Sequence, residues 1–394
     1  MKVLMINTEM ARGGAAKMAT TLARAINVPD NGFEATLAHC ENNEYDLPFI
    51  GLKRPMAYYL NILQTRLYGN LHINDFGVAT ELLKLAEKVD IVHLHNLHGY
   101  YLNIENLLKG LTNKPVVWTW HDMWGATGRC GFSMDCIEWK NGCSKCEYMN
   151  YYPKVWFDNA KAEYRKKTEL YSNFKNLHIV SPSEWLRQIA IARGFSSDNA
   201  HTISNPVDLS KFQPVNQNEA RSKLNLSDAR IALFVAHDCN DERKRYHDFE
   251  QVIKITKMKG VVVGVPPEKL DPDMIYLGKL TNPEHLKWAY SAADIFIITS
   301  KSDNYPNTVV ESMACGTPVF GYAVGGIPSQ MPDNWDGLVE FGDYSALSVK
   351  IDDFITNYKN IGELRERISD YAKTSWDSLF IASRYQQLYT NMLK

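Results

Sequence analysis

Apolar residues fall along this chain in two alternating rhythms. Unbroken apolar runs occupy residues 2–7 (KVLMIN), 90–95 (DIVHLH), 115–120 (PVVWTW) and 177–180, and between them apolar positions recur every three or four residues, first over about 15–26. The second half repeats the pattern, with runs at 231–236 (IALFVA), 260–265 (GVVVGV), 274–277 and 294–299 (DIFIIT). A run that is apolar at every residue is a strand covered on both faces, and interleaved helices supply the cover. The pattern therefore predicts an α/β fold with two Rossmann-like, doubly wound parallel domains. The break between the repeats lies at 203–214, ISNPVDLSKFQP, which has two prolines, an Asn-Pro turn signal and no sustained periodicity. The expected organisation is a domain over 1–203, a linker over 204–214, a second domain over 215–374 and a long amphipathic helix over 375–394.

Length agrees with this division, because a single core rarely grows past about 250–300 residues and this chain has 394. Hydrophobic residues at 45% and charged residues at 22% exclude a disordered or fibrous chain. A formal net charge of -2 gives no global argument for a nucleic-acid partner, and none is expected. No stretch reaches the ~18 apolar residues of a membrane span, and Glu9 and Arg12 interrupt the apolar N-terminus too early for a signal-peptide core. The expected location is cytoplasmic.

Three places carry chemistry. Gly13 and Gly14 join the first strand to the first helix, where missing Cβ atoms allow close approach and a helix N-terminus suits phosphate. A plain turn explains these glycines equally well, and the pattern is not a dinucleotide fingerprint. His121 and Asp122 follow the run at 115–120, at a strand's carboxyl end, where ligands bind in open α/β sheets. His121 there can hydrogen-bond a sugar hydroxyl or a phosphate oxygen, and one of His93, His95 and His98 can line the same edge while the others pack. The richest segment is 300–330, SKSDNYPNTVVESMACGTPVFGYAVGGIPSQ. There Asp303 and Glu311 flank a helix start that offers backbone donors to an anion, while each carboxylate can accept paired hydroxyls.

Asp303, seven residues, Glu311 and then Ser312-Met313-Ala314-Cys315-Gly316-Thr317-Pro318 closely resemble the donor-site signature of retaining GT-B glycosyltransferases of family 4. Further similarity lies in residues 274–294, in Gly13-Gly14, in His121 and in the basic pair Arg243-Lys244, so it runs over nearly the whole chain. The resemblance implies a GT-B fold, with the two domains facing across a cleft and the final helix crossing back to the first. It implies a nucleotide-sugar donor, most commonly a UDP-sugar, on the second domain and the acceptor on the first. Asp303 would contact the transferred sugar, Glu311 the ribose hydroxyls, and Asn304, Tyr305, Pro306, Asn307 and Thr308 would present backbone groups to sugar and diphosphate. Lys244 and Arg243 would offset charge on the leaving group, and His121 would contact donor sugar or phosphate. No catalytic metal is expected. Two departures stand out: Asp238 occupies a position that is often Arg, and Arg245 one that is usually Gly.

Four of the seven cysteines, Cys130, Cys136, Cys143 and Cys146, crowd into a C-x5-C-x6-C-x2-C pattern within an insertion over about 124–150. Four thiolates could bind structural Zn²⁺, with disulfides or free thiols as alternatives. Similar Cys-rich insertions occur in family members that build bacterial surface polysaccharides, which suggests a glycan or lipid-linked acceptor. The aromatic segments 56–72 and 148–175 read either as buried or interface helices or as contacts with a lipid-linked acceptor at the inner face of a membrane. The overall expectation is a retaining glycosyltransferase of surface-polysaccharide biosynthesis. The rivals are a nucleotide-sugar epimerase or hydrolase of the same fold, and an inactive sugar-nucleotide-binding subunit.

Overall fold

The apolar runs become strands. The computed structural model describes residues 1–9, 13–40, 48–52, 55–71, 73–358 and 360–394. The chain divides into two compact units, Met1–Pro206 with Ser378–Lys394, and Val207–Asp377.

Unit one is built on a parallel sheet of β1 (Lys2–Ile6), β2 (Glu34–His39), β3 (Phe49–Gly51), β4 (Ile91–Leu94), β5 (Val116–Thr119), β6 (Leu177–Ser181) and β7 (Ala200–Thr202) in the order β3-β2-β1-β4-β5-β6-β7. Every residue of β4 and β5 is buried, as strands covered on both faces require. The covering helices are α1 (Gly14–Ile26), α2 (Pro55–Tyr68), α3 (Val78–Ala86), α4 (Ile104–Gly110), α5 (Ala160–Ser172) and α6 (Glu184–Ala192). The order reverses direction between β1 and β4, so the carboxyl ends of these strands flank the switch point where doubly wound sheets open a crevice.

Unit two repeats the design. Its sheet contains β8 (Ile231–Asp238), β9 (Lys259–Val265), β10 (Ile275–Gly278), β11 (Ile295–Ile298), β12 (Val319–Tyr322) and β13 (Leu338–Val339) in the order β10-β9-β8-β11-β12-β13. The switch point lies between β8 and β11. Helices α7 (Gln217–Lys223), α8 (Tyr246–Thr256), α9 (Pro283–Ala292), α10 (Asn307–Ala314), α11 (Tyr344–Asn357) and α12 (Ile361–Trp376) flank it. Val207 and Phe212 are buried in this unit's core.

The amphipathic stretch expected over 375–394 is interrupted: α12 ends at Trp376, and α13 (Ser378–Met392) begins after an extended Asp377. Ile381, Ala382, Tyr385, Leu388 and Tyr389 of α13 are buried in unit one against Met18, Ala19 and Leu22 of α1.

The Cys-rich segment between β5 and α5 is mostly irregular, and two buried cations organise it. The Arg129 guanidinium donates to the carbonyls of Tyr148 (2.9 Å), Tyr151 (2.9 Å) and Pro153. Lys167 of α5 lies 3.4 Å over the Trp124 ring and donates to the Trp124 and Thr127 carbonyls at 2.6 and 3.1 Å. The structural zinc expected of the four cysteines finds no support in their arrangement. Cys130, Cys136, Cys143 and Cys146 are free, and among the described residues no three His, Cys, Asp or Glu side chains gather into a group that could hold a metal ion. Burial raises the Cys143 thiol to about 11, and burial also raises Cys130. Cys143 accepts the Gly128 N–H at 3.1 Å.

Candidate functional site

In unit two the carboxyl ends of β8 and β11 bring a cluster of charges together. After β8 the Asp241 side chain caps a single 3₁₀ turn, Glu242–Lys244, by accepting from the Arg243 N–H at 2.9 Å. Thr299, just beyond β11, donates to the carbonyls of Lys244 and Arg245, both at 3.0 Å, which pins this turn to the neighbouring strand. Lys244 Nζ then reaches Asp303 Oδ2 at 2.5 Å, while Arg243 Nη1 and Ser300 Oγ meet the same oxygen at 3.2 Å each. Burial raises the Asp303 pKa, but the opposing charges of Lys244 and Arg243 win and hold it below the ordinary carboxylate value. Burial likewise lowers Lys244 against the pull of Asp303. A carboxylate and two cations are thus held largely out of water, already paired, at a sheet's switch point.

The two departures from the family pattern acquire physical reasons. Arg245 has φ 52 and ψ 46, a left-handed conformation that favours glycine. Its guanidinium turns to the buried Asp248 at 2.7 Å, so Arg243 is the arginine that serves the Asp303 cluster. Asp238 folds its carboxylate onto Asn240, accepting from the backbone and side-chain N–H groups at 2.9 Å each.

Helix α10 starts four residues beyond Asp303. Glu311 on α10 is buried and accepts from the Tyr290 hydroxyl at 3.1 Å. The Tyr305 hydroxyl is bonded to Trp376 Nε1 at 2.7 Å inside the core. Pro306 has no N–H, and its carbonyl accepts from Gln330 Nε2 and from the Val309 N–H, both at 3.1 Å. From that stretch, the Asn307 and Thr308 N–H groups form the N-terminus of α10. The Gly-Gly loop lies against the cluster. Gly325 has φ +55, a Cβ on it would collide with the Asp303 carbonyl, and the Gly326 N–H reaches that carbonyl at 3.3 Å.

In unit one Gly13, at φ 86, is the N-cap of α1 and Gly14 is its first residue. Residues 10–12 of that loop lie outside the described residues. His121 follows β5, and its Nε2 lies 3.0 Å from His95 Nδ1. Asp122 accepts from the Trp124 N–H at 2.8 Å through Oδ1 and pairs with His98 Nε2 at 3.1 Å through Oδ2. His95 and His98 therefore belong to the polar edge of this sheet. Tyr58, Tyr59, Leu60 and Leu63 of α2 and nearby Trp156 and Phe157 are exposed, Tyr59 by 78%.

Models of two families match the chain: glycosyltransferase family 4 over residues 12–211 and glycosyl transferases group 1 over residues 217–375. The chain belongs to glycosyltransferase family 4. This member of the family is 27% identical to a putative colanic acid biosynthesis glycosyl transferase, WcaC, of Escherichia coli K12, over 81% of this chain and 82% of the relative. Among solved structures it resembles sucrose-phosphate synthase from Thermosynechococcus elongatus, with a TM-score of 0.69 and 18% identity over 100% of this chain and 99% of the other. It also resembles Anabaena HepE in complex with UDP-glucose, with a TM-score of 0.69 and 14% identity over 99% of each chain. These likenesses establish two Rossmann-like domains of the GT-B class. The enzyme class is glycosyltransferase, and enzymes of this type usually need no catalytic metal. Among the described residues no helix is long and apolar enough to cross a membrane.

Proposed function

We propose that this chain transfers a sugar, with retention of anomeric configuration, from a nucleotide-sugar donor to a glycan or lipid-linked acceptor in surface-polysaccharide biosynthesis. A UDP-sugar is the first donor to test. The observation that carries the reading is the Lys244–Asp303–Arg243 cluster beside α10, which has both kinds of group a charged sugar donor needs. In this reading the acceptor oxygen bonds to the anomeric carbon as the bond from that carbon to the diphosphate oxygen breaks. The acceptor proton passes to the leaving phosphate, so no protein nucleophile is required. Lys244 and Arg243 meet the negative charge that grows on the diphosphate, and the N–H groups of Asn307 and Thr308 add a helix N-terminus. Asp303 orients the transferred sugar and Glu311 takes the ribose hydroxyls, while Gly13, Gly14 and His121 are the candidate ligand-binding groups of unit one. Arg243 stands in for the basic group that Asp238 does not supply, which favours an active enzyme over a binding subunit.

The homology to a colanic acid enzyme supports the pathway class, and the UDP-glucose complex of a structural neighbour supports the donor class. The exposed aromatic face of α2 suits peripheral contact with the inner face of a membrane, where a cytoplasmic enzyme would meet a lipid-linked acceptor. The test is release of the nucleoside diphosphate from a panel of nucleotide sugars by the full chain. Lys244→Ala is expected to lower turnover by about 10²–10³-fold. Unchanged turnover would remove Lys244 from the mechanism, and a product with inverted anomeric configuration would refute retention.

A further inference from the structure

Unit two holds a second cavity, of about 890 Å³, at the edge of its sheet opposite the Asp303 cluster. Asp303 follows the carboxyl end of β11, whereas residues 332–337, which form one wall, lead into the amino end of β13. The strands from β11 to β13 run parallel, so the two places lie on opposite edges. The volume is that of a small-molecule site. An aromatic wall runs from Trp335 to Phe320, Phe354 and Tyr358, with successive ring centroids 5.7, 5.1 and 5.2 Å apart. Trp335 Nε1 donates to the Val319 carbonyl at 2.8 Å, which fixes the indole against the sheet. Lys350, Asp353, Phe354 and Asn357 recur three and four residues apart on α11, so one helix face brings polar groups to the same cavity.

The charges select the ligand. Four carboxylates line the cavity, Asp333, Asp336, Asp353 and Asp370, against the two cations Lys350 and Arg367. Asp336 pairs with Lys350 and Asp370 with Lys373, which leaves Asp333 and Asp353 set against Arg367. Among the described residues no hydrogen bond or ion pair engages the side chains of Asp353, Asn357 or Arg367. An anionic ligand, such as a nucleotide or a phosphate, meets a surplus of negative charge here. An apolar ligand would strip water from these groups and give them no partner. A neutral ligand rich in hydroxyls answers both conditions. Its hydroxyls donate to the carboxylates and to the Asn357 amide oxygen, and its oxygens accept from Arg367. The C–H faces of a sugar ring lie on aromatic rings, whose faces carry partial negative charge.

We propose that this cavity binds a neutral stretch of glycan remote from the site of transfer, which tethers a growing chain and raises its local concentration. The choice of a glycan among neutral polyols rests on the proposed transfer function, whereas the cavity and its charge do not. Saturation-transfer NMR of the full chain tests it, with a panel of neutral oligosaccharides of α- and β-linked glucose, galactose, mannose and N-acetylglucosamine. At least one member is expected to bind. Tyr358→Ala and Asp353→Ala are each expected to weaken that binding at least about fivefold, and Lys244→Ala to leave it unchanged. Asp353 and Tyr358 are both exposed, so neither substitution opens the core, and an unfolding midpoint near that of wild type checks this. Binding of no member of the panel overturns the inference, and so does binding that survives both substitutions or is lost in Lys244→Ala. Hydrolysis of UDP-glucose is expected to be the same in wild type, Tyr358→Ala and Asp353→Ala; a fall in either variant overturns the remoteness of the site. Glycan binding by a chain that hydrolyses no nucleotide sugar would overturn the transfer function and leave the cavity's role standing.

Discussion

Acid should loosen unit one through His93. Its ring is fully buried between Thr119 and Tyr389, beside His95 and Tyr385, and burial reinforced by the nearby His121 lowers its pKa to about 3. In the unfolded chain the same imidazole titrates near its ordinary value of about 6.5. Below that pH the unfolded state takes up a proton that the folded state refuses. Stability therefore begins to fall as the pH drops through about 6.5, and the loss stops growing only near the folded value of about 3. At about pH 5 the gap is roughly 1.5 pH units, which at about 1.36 kcal/mol per unit makes the penalty about 2 kcal/mol from this one ring. Carboxylates and other histidines titrate over the same interval, so the useful quantity is a difference between proteins. His93→Asn cannot titrate, and its stability should fall by about 2 kcal/mol less than that of wild type between about pH 7.5 and 5. Urea unfolding read by hydrogen exchange in β1, β4 and β5 reports on unit one by itself. Equal losses in the two proteins, within about 0.5 kcal/mol, would refute the reasoning.

Three further outcomes follow from the geometry. Glu311→Ala should raise the donor KM at least about tenfold while leaving the unfolding midpoint within a few degrees of wild type, as steady-state kinetics and calorimetry would show. Gly325→Ala meets both a left-handed backbone and the Asp303 carbonyl, and should cost about 1–3 kcal/mol of stability in unit two together with most of the activity; a full-strength variant would mean that the loop yields freely. Lys167→Met leaves the Trp124 and Thr127 carbonyls without their donor, and should cost about 2–4 kcal/mol and open the Cys-rich segment to trypsin at Lys140, Lys145 and Lys154.

How much of this was legible in the sequence depended on distance along the chain. Asp303, Glu311 and the helix start between them lie within nine residues, so their joint chemistry could be read directly. The long apolar strands were equally plain, and the α/β class they implied is the class observed. Strands β3 and β13, of three and two residues, are too short to show any periodicity, and β2 mixes polar and apolar positions. The hydrogen bonds of Thr119 and His93 needed Tyr385 and Tyr389, which are more than 260 residues away and reach them only because α13 packs on α1. The Cys-rich segment hid its contacts for a related reason. The cysteine spacing drew the eye, while the contacts of Arg129 and Lys167 that tie the segment together were not legible, because a single arginine or lysine leaves no spacing signal.

The return of α13 to unit one has a consequence for how the protein is made. A ribosome finishes β1 through β7 long before it reaches residues 378–392, and all of unit two is synthesised in between. At about 5–20 residues per second that interval lasts on the order of ten seconds or more. During it the apolar face of α1, with Met18, Ala19 and Leu22, has no α13 to cover it, and His93 has no Tyr389 to bond it. Unit one thus emerges before unit two and is completed after it, and a nascent chain stalled before residue 378 should be the species that chaperones hold.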